Sequence, residues 1–188
     1  MLLVSPYYNK STSDGLIAHY SAIASAVHIP CILYNVPGRT GQDIPISVYE
    51  ALKSVPNILG LKEASGDAVK VSRIRCRCPE LDIWSGNDEC AVASIALGAK
   101  GVISVLSNVA PEMTVAMVNA ALDGDFDTAA ELHTRMLALM DGLFSQVNPV
   151  PVKAAMKMIG FDCGSCRLPL GSLDAEKAKE LKALLPLQ

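Results

Sequence analysis

The sequence predicts an α/β fold in which short parallel strands alternate with helices. Five mostly apolar runs of strand length support this prediction: residues 2–5, 30–34, 58–62, 81–84 and 101–105. Each run is unbroken rather than alternating, which is typical of parallel strands covered on both faces. Successive runs lie roughly 20–30 residues apart, the length of a strand–helix–strand unit. We therefore expect a parallel sheet with right-handed crossover connections.

Helical patterns fill the segments between these runs. In residues 14–27, apolar side chains recur along one face of a helical period, at Leu16, Tyr20, Ile23 and Val27. Ser13 precedes most of this segment, and its hydroxyl is predicted to cap the helix. The later linkers have the same character, which predicts helices over residues 46–52, 67–75 and 88–97.

After the fifth run, only helical patterns remain. They predict helices over residues 111–122, 125–140, 151–159 and 172–185, the last of them headed by Ser172. We predict a β/α part over residues 1–122 and a C-terminal helical region over residues 123–188. A closed (β/α)8 barrel needs eight strands and ~250 residues. Five runs in 188 residues therefore leave two architectures open, an open sheet and a barrel without its opening units.

The composition excludes several classes of protein. The chain is 51% hydrophobic, too apolar for a disordered protein, and has no apolar run near the ~18 residues of a membrane span. A net charge of −3 with scattered Lys and Arg argues against a nucleic-acid partner. The first four residues lack the basic flank of a signal peptide, so we expect a cytoplasmic protein.

Six cysteines raise the question of a metal site. Cys163 and Cys166 have the Cys-x-x-Cys spacing of a metal or redox motif. No second such pair and no spaced histidine pair completes a zinc site in the sequence. We therefore interpret these thiols as structural or incidental and predict no bound metal.

The carboxyl ends of the predicted strands hold the candidate functional residues, since parallel α/β folds gather their chemistry there. Lys62 ends the third run. Burial disfavours the charged form of a lysine, and a neutral amine can attack a carbonyl to form a Schiff base. The ordinary alternative is a lysine that extends from the strand end into solvent or pairs with a carboxylate. Position alone favours that alternative.

Other strand-end side chains also have two interpretations. Tyr34 ends the second run, where its phenol could relay protons or simply lie in the core. Arg39 follows a Pro-Gly turn, where it suits recognition of a carboxylate or is an ordinary surface arginine. Tyr8 and its neighbour Tyr7 form an aromatic pair in a loop, suited to a site, an interface or packing.

The segments around these residues resemble a known family. Residues 34–41, Tyr-Asn-Val-Pro-Gly-Arg-Thr-Gly, and 60–67, Gly-Leu-Lys-Glu-Ala-Ser-Gly-Asp, are similar to the two signature segments of the dihydrodipicolinate synthase family of Schiff-base pyruvate lyases and aldolases. Residues 6–10, 98–104 and 148–153 also resemble family segments in the expected order. The resemblance covers essentially the whole chain. It implies a partial (β/α)8 TIM barrel of about five parallel strands followed by a C-terminal helical extension.

The resemblance also implies a reaction and roles for named residues. Members condense pyruvate with L-aspartate 4-semialdehyde in lysine and diaminopimelate biosynthesis, without a metal or organic cofactor. Lys62 would form the Schiff base, and Tyr34 would donate and accept protons. Tyr8 would complete the proton relay in a neighbouring subunit, which implies a homo-oligomer, a dimer or tetramer. Arg39 and Ile103 would bind substrate.

One departure from the family pattern limits these expectations. The family's Gly-Thr-Thr-Gly-Glu segment, which carries a threonine of the proton relay, has no equivalent in this sequence. We therefore expect little or no turnover from this chain and weak or no imine formation. The alternatives are a non-catalytic partial barrel and a related pyruvate-dependent aldolase or N-acetylneuraminate lyase-like enzyme. Arg39 in its Pro-Gly-Arg turn favours the synthase over sialic-acid lyases.

Overall fold

The computed structural model describes residues 1–185 of the 188-residue chain. The chain divides into two compact units, Met1–Ile103 and a second that starts at Ser104. The strands lie in the first unit, and the described part of the second is helical. The division between residues 122 and 123 that the sequence suggested stays a prediction.

The first unit is built on a four-stranded parallel sheet. Its strands are β1 (Leu2–Val4), β2 (Cys31–Asn35), β3 (Ile58–Glu63) and β4 (Asp82–Ser85), and they lie in the order in which they follow along the chain. Every neighbouring pair is parallel. The ends of these strands differ from those of the first four apolar runs by one residue at most. The prediction of a parallel α/β fold is confirmed.

The fifth predicted strand, residues 101–105, is not formed as a strand. The segment makes one parallel bridge, between Ser85 and Val102, and Ile103 donates its N–H to the Ser85 carbonyl at 2.9 Å. Gly101 has a φ of 145°, far from the extended conformation that a strand requires. The segment therefore follows the free edge of β4 for only a short distance.

Helices connect the strands of the first unit. They are α1 (Ser13–Ser25), α2 (Pro37–Thr40), α3 (Ile46–Leu52), α4 (Ala68–Arg77) and α5 (Ala91–Ala96). The cap of α1 is Thr12, whose hydroxyl accepts from the Gly15 N–H at 3.2 Å, and not Ser13, which is the first helical residue. The short helix α2 was not expected. It begins at Pro37, whose fixed φ suits a first helical position.

The two faces of the sheet differ in burial. Leu33, Leu61 and Ile83 point to the face that packs on the helices, where they are fully buried in the main apolar core. On the opposite face Leu2 is 46% and Val4 41% exposed. The expectation of strands covered on both faces is therefore wrong for this second face, which instead carries the half-buried side chains near the strand ends.

The described part of the second unit contains four α-helices and a 3₁₀ turn. They are the turn Leu106–Asn108 and the helices α6 (Pro111–Leu122), α7 (Phe126–Leu143), α8 (Val150–Met158) and α9 (Ala175–Leu184). Helix α6 packs on α7, and α9 packs on both α7 and α8. The carboxylate of Asp174, and not Ser172, caps α9 by accepting from the N–H groups of Glu176 and Lys177. A C-terminal helical region is present as expected.

We predict that Leu61→Ala lowers the free energy of unfolding by about 2–5 kcal/mol, because it opens a cavity between the sheet and its helices. Leu59→Ala, two residues away on β3, is the matched control, since Leu59 is 46% exposed. Its cost should be about 1 kcal/mol or less. Urea denaturation followed by the fluorescence of Trp84, the single tryptophan, measures both variants. Equal losses would contradict this account of the core.

Candidate functional site

The parallel register brings Lys62 and Tyr34 together at the ends of β3 and β2. The two residues are direct partners in the sheet, and Trp84 on β4 continues the same row. Partners in one row point to the same face, because side chains alternate along each strand. The Lys62 ammonium lies 4.5 Å from the centroid of the Tyr34 ring, a cation–π distance. Two residues 28 positions apart in the chain thus form one contact.

The environment of Lys62 makes its amine easier to deprotonate than the amine of an exposed lysine. Burial lowers the pKa of the Lys62 amine below its ordinary value, and the negative charge of Asp88 partly opposes that shift. Desolvation is the larger of the two effects. The amine is half-buried rather than sealed, so a small carbonyl compound can reach it from the open face of the sheet. A nucleophilic amine at this position is consistent with Schiff-base chemistry.

Gly86 leaves the space that the Lys62 side chain occupies. A Cβ atom at this position would lie 2.9 Å from Lys62 Cε and 2.5 Å from the Cβ atom of Ala64. Both distances are too short for carbon atoms in contact. The residue directly after β4 must therefore be a glycine if Lys62 is to keep its present path.

Tyr34 and Arg39 are coupled through charge. Burial raises the pKa of the Tyr34 phenol above its ordinary value, and the positive charge of Arg39 acts in the opposite direction. Arg39 lies in α2, directly after β2, and is exposed. The short helix therefore holds a guanidinium near the phenol while leaving it accessible to an anionic ligand.

The structure does not bring Tyr8 into this group. Tyr8 is 89% exposed, and within residues 1–185 its phenol makes no hydrogen bond or ring contact. Its φ of 71° is uncommon for a residue with a side chain, and its N–H donates to the Thr40 carbonyl at 3.4 Å. Ile103 is half-buried at the edge of β4, where Ser85 holds its backbone.

Sequence reasoning assigned no role to several residues that the structure places around the site. Asp88 is 2% exposed and acts on the Lys62 pKa, and Gly86 shapes the path of the lysine. Both residues follow the fourth apolar run, and this position at a strand end is the signal by which the sequence could have identified them. On the helix-covered face of the sheet, Asn35 and Glu63 form a buried polar pair that no local sequence pattern predicts.

The described residues provide no evident metal centre. Across residues 1–185, no three His, Cys, Asp or Glu side chains are grouped so that they could hold a metal ion. All six cysteine thiols are free, including Cys163 and Cys166. Within the same range, no helix has both the length and the apolar character that a membrane crossing requires.

These features define a parallel α/β protein with a lysine amine at the carboxyl ends of its strands. The model of the Dihydrodipicolinate synthetase family matches residues 1–188. The chain belongs to this family, and the resemblance seen in the sequence is confirmed.

Individual relatives agree with this assignment. The 4-hydroxy-tetrahydrodipicolinate synthase of Methanosarcina mazei is 50% identical over 182 residues, which are 95% of this chain and 62% of the relative. The crystal structure of dihydrodipicolinate synthase from Aquifex aeolicus superposes with a TM-score of 0.95 at 38% identity, covering 100% of this chain and 66% of that one.

A third comparison involves a ligand. The chloride-inhibited dihydrodipicolinate synthase from Acinetobacter baumannii, solved in complex with pyruvate, has a TM-score of 0.92 at 41% identity. The superposition covers 97% of this chain and 63% of the Acinetobacter baumannii chain. The chain thus spans less than two thirds of the length of these relatives, and its fold is that of part of their barrel.

We predict that Asp88→Asn lowers the pKa of Lys62 further, because the substitution removes a charge that stabilises the ammonium form. A titration of the protein with ¹³C-labelled lysine side chains, followed by NMR, measures this pKa. Lys62→Arg assigns the signal. Glu89→Gln is the matched control, since Glu89 neighbours Asp88 but does not contribute to the Lys62 shift. An unchanged or higher Lys62 pKa in Asp88→Asn would contradict the proposed charge balance.

Proposed function

We propose that this chain carries a pyruvate-condensing site of the 4-hydroxy-tetrahydrodipicolinate synthase type, with Lys62 as the nucleophile. The observation that carries the proposal is the Lys62 amine, its pKa lowered by burial, 4.5 Å above the Tyr34 ring. The names of the relatives support it, as does the pyruvate complex of the Acinetobacter baumannii enzyme. The reaction would belong to lysine and diaminopimelate biosynthesis in the cytoplasm.

The first step is imine formation. The neutral Lys62 amine adds to the ketone carbon of pyruvate, and the resulting carbinolamine loses water to give a protonated imine. Loss of a methyl proton converts the imine to an enamine, whose terminal carbon is a nucleophile. Tyr34 is proposed to carry protons to the leaving water. A phenol of ordinary pKa, about 10, is already protonated at neutral pH, and burial raises the pKa of Tyr34 further.

The second step joins the two substrates. The enamine carbon attacks the aldehyde carbon of L-aspartate 4-semialdehyde, a carbon–carbon bond forms, and the aldehyde oxygen takes a proton. The substrate's amino group then attacks the imine carbon, which closes the ring and releases the Lys62 amine. Arg39 is proposed to hold the carboxylate of the aldehyde substrate, because a guanidinium pairs with a carboxylate through two hydrogen bonds. Ile103 is proposed as a second substrate contact.

We predict that borohydride reduction in the presence of pyruvate attaches one reduced pyruvate to the chain at Lys62. The geometry supports more imine formation than the sequence suggested, because the amine and the phenol already meet within one sheet. Intact mass and peptide mapping measure the adduct, and it should vanish in Lys62→Ala.

The controls separate this site from ordinary amine chemistry. Lys100→Met removes an exposed lysine outside the site and should leave the pyruvate adduct at Lys62 unchanged. An adduct spread over several surface lysines, or none at all, would overturn the proposal and favour a non-catalytic partial barrel. A coupled assay with both substrates tests turnover, which we expect to be low because Leu2 and Val4 leave the site face open.

Tyr8 is proposed to act in a neighbouring copy of the chain, so that the working form is a homo-oligomer, a dimer or tetramer. An exposed fraction of 89% suits a phenol that becomes buried against another subunit. We predict that Tyr8→Ala weakens the oligomer at least tenfold, whereas Tyr8→Phe keeps the ring and assembles as the wild type does. Native mass spectrometry over a dilution series measures both. A monomer at all concentrations would contradict this part of the proposal.

A further inference from the structure

A buried polar network lies on the face of the sheet opposite to Lys62. Asn35 directly follows Tyr34 on β2, and Glu63 directly follows Lys62 on β3. Alternation along the strands turns these two side chains toward the helices, where Asn35 is 0% and Glu63 5% exposed. Tyr34 and Lys62 therefore each have a chain neighbour inside this network.

Asn35 ties the end of β2 to its surroundings on three sides. Its side-chain nitrogen donates to the Glu63 carboxylate, at 2.9 and 3.0 Å from the two oxygens, and to Asp43 Oδ1 at 2.7 Å. Its side-chain oxygen accepts from the Ile44 N–H at 3.0 Å. One amide thus links β2, the end of β3 and the segment that leads into α3.

Lys70 on α4 completes the network and offsets one of its two carboxylate charges. Its side chain is 7% exposed, and its ammonium lies 3.5 Å from Glu63 Oε2 and in direct contact with Asp43 Oδ1. It also donates to the Ile44 carbonyl at 3.2 Å. Removing one partner of a buried charge pair is costly, because the other charge is left without compensation.

We propose that Asn35, Glu63 and Lys70 are positioning residues that hold Lys62 over Tyr34. The backbone ladder pairs Tyr34 with Lys62 and ends one residue later at Asn35 and Glu63, so it places the two residues but leaves the long Lys62 side chain rotatable. The network clamps the last pair of the ladder, Asn35 with Glu63, next to the pair that forms the site. Because it acts from the opposite face, it sets the geometry without occupying the substrate's space.

The inference rests on the proposed function only in its assumption that the Lys62 amine acts as a nucleophile. Its test needs no pyruvate. Lys62 is distinguished by its lowered pKa, which burial causes. If the network holds the amine in place, its loss lets Lys62 move into solvent and its pKa rises. A direct charge effect has the opposite sign, since removing the Glu63 carboxylate would destabilise the ammonium and lower the pKa. The sign of the shift therefore separates positioning from simple electrostatics.

The experiment is competitive acetylation of the lysines over a range of pH, read by peptide mass spectrometry. The exposed Lys179 of α9 serves as the reference amine. In the wild type we expect the labelling midpoint of Lys62 to lie below that of Lys179. In Glu63→Gln we expect the Lys62 midpoint to rise by at least about half a pH unit, toward the reference.

Two further variants keep the test interpretable. The double variant with Glu63→Leu and Lys70→Met removes the two buried charges together and leaves only Asp43, whose side chain is 54% exposed. It should unfold at a urea concentration closer to the wild type than Glu63→Gln does. It should still raise the Lys62 midpoint, because the clamp is gone. Glu50→Gln is the matched control: it breaks a bidentate ion pair with Arg77 between α3 and α4, on the exposed side, and should leave Lys62 unchanged.

The outcomes are distinct. A Lys62 midpoint that stays or falls in folded Glu63→Gln and in the double variant would overturn the positioning role. A wild-type midpoint equal to that of Lys179 would also overturn it, because no held amine would exist to be positioned. If the Lys62 midpoint rises in the variants but pyruvate trapping fails in the wild type, the positioning role is supported and only the proposed function is overturned.

Discussion

The pairing of β2 with β3 is the constraint on which the rest of the site depends. In this register Tyr34 lies beside Lys62 on one face and Asn35 beside Glu63 on the other. A slip by one residue would exchange the faces, sending the lysine amine into the apolar layer and the Glu63 carboxylate to the open side. A single backbone alignment therefore places the reactive amine and the polar network behind it.

The charge state of Lys62 follows from opposing interactions. A cation–π contact is worth about 0.5–2 kcal/mol, depending on how far the pair is desolvated, and it favours the ammonium, as does the charge of Asp88. Partial burial acts the other way and is the larger effect, so the pKa falls. Since one pKa unit corresponds to about 1.36 kcal/mol, small changes in the position of the amine alter its neutral fraction several-fold.

Much of the fold could be predicted because apolar runs and helical periods are local signals. Four strands were found to within a residue, whereas the fifth failed because Gly101 takes a conformation that the apolar run does not reveal. The caps at Thr12 and Asp174 were assigned to nearby residues, since several side chains at each helix start carry a suitable oxygen. Sequence spacing cannot choose among them.

The residues of the site could be predicted from the sequence, but their contacts could not. Lys62 and Tyr34 stand at strand ends, and the family resemblance named both. Their closeness depends on a register that connects distant parts of the chain, which no local window contains. The network was missed because Asn35, Glu63 and Lys70 resemble ordinary surface residues until α3 and α4 cover them.

The arrangement separates two requirements of the proposed reaction. Making an amine nucleophilic needs only desolvation and a fixed side chain, and β2, β3 and the loop after β4 supply both within one unit. Binding a second substrate and moving protons to it need groups that reach over the amine, and Arg39 and Tyr8 lie on exposed segments outside the sheet. Imine formation therefore depends on the rigid part of the fold. Carbon–carbon bond formation depends on parts whose placement the sheet does not determine, so the first step can persist in a chain in which the second is slow.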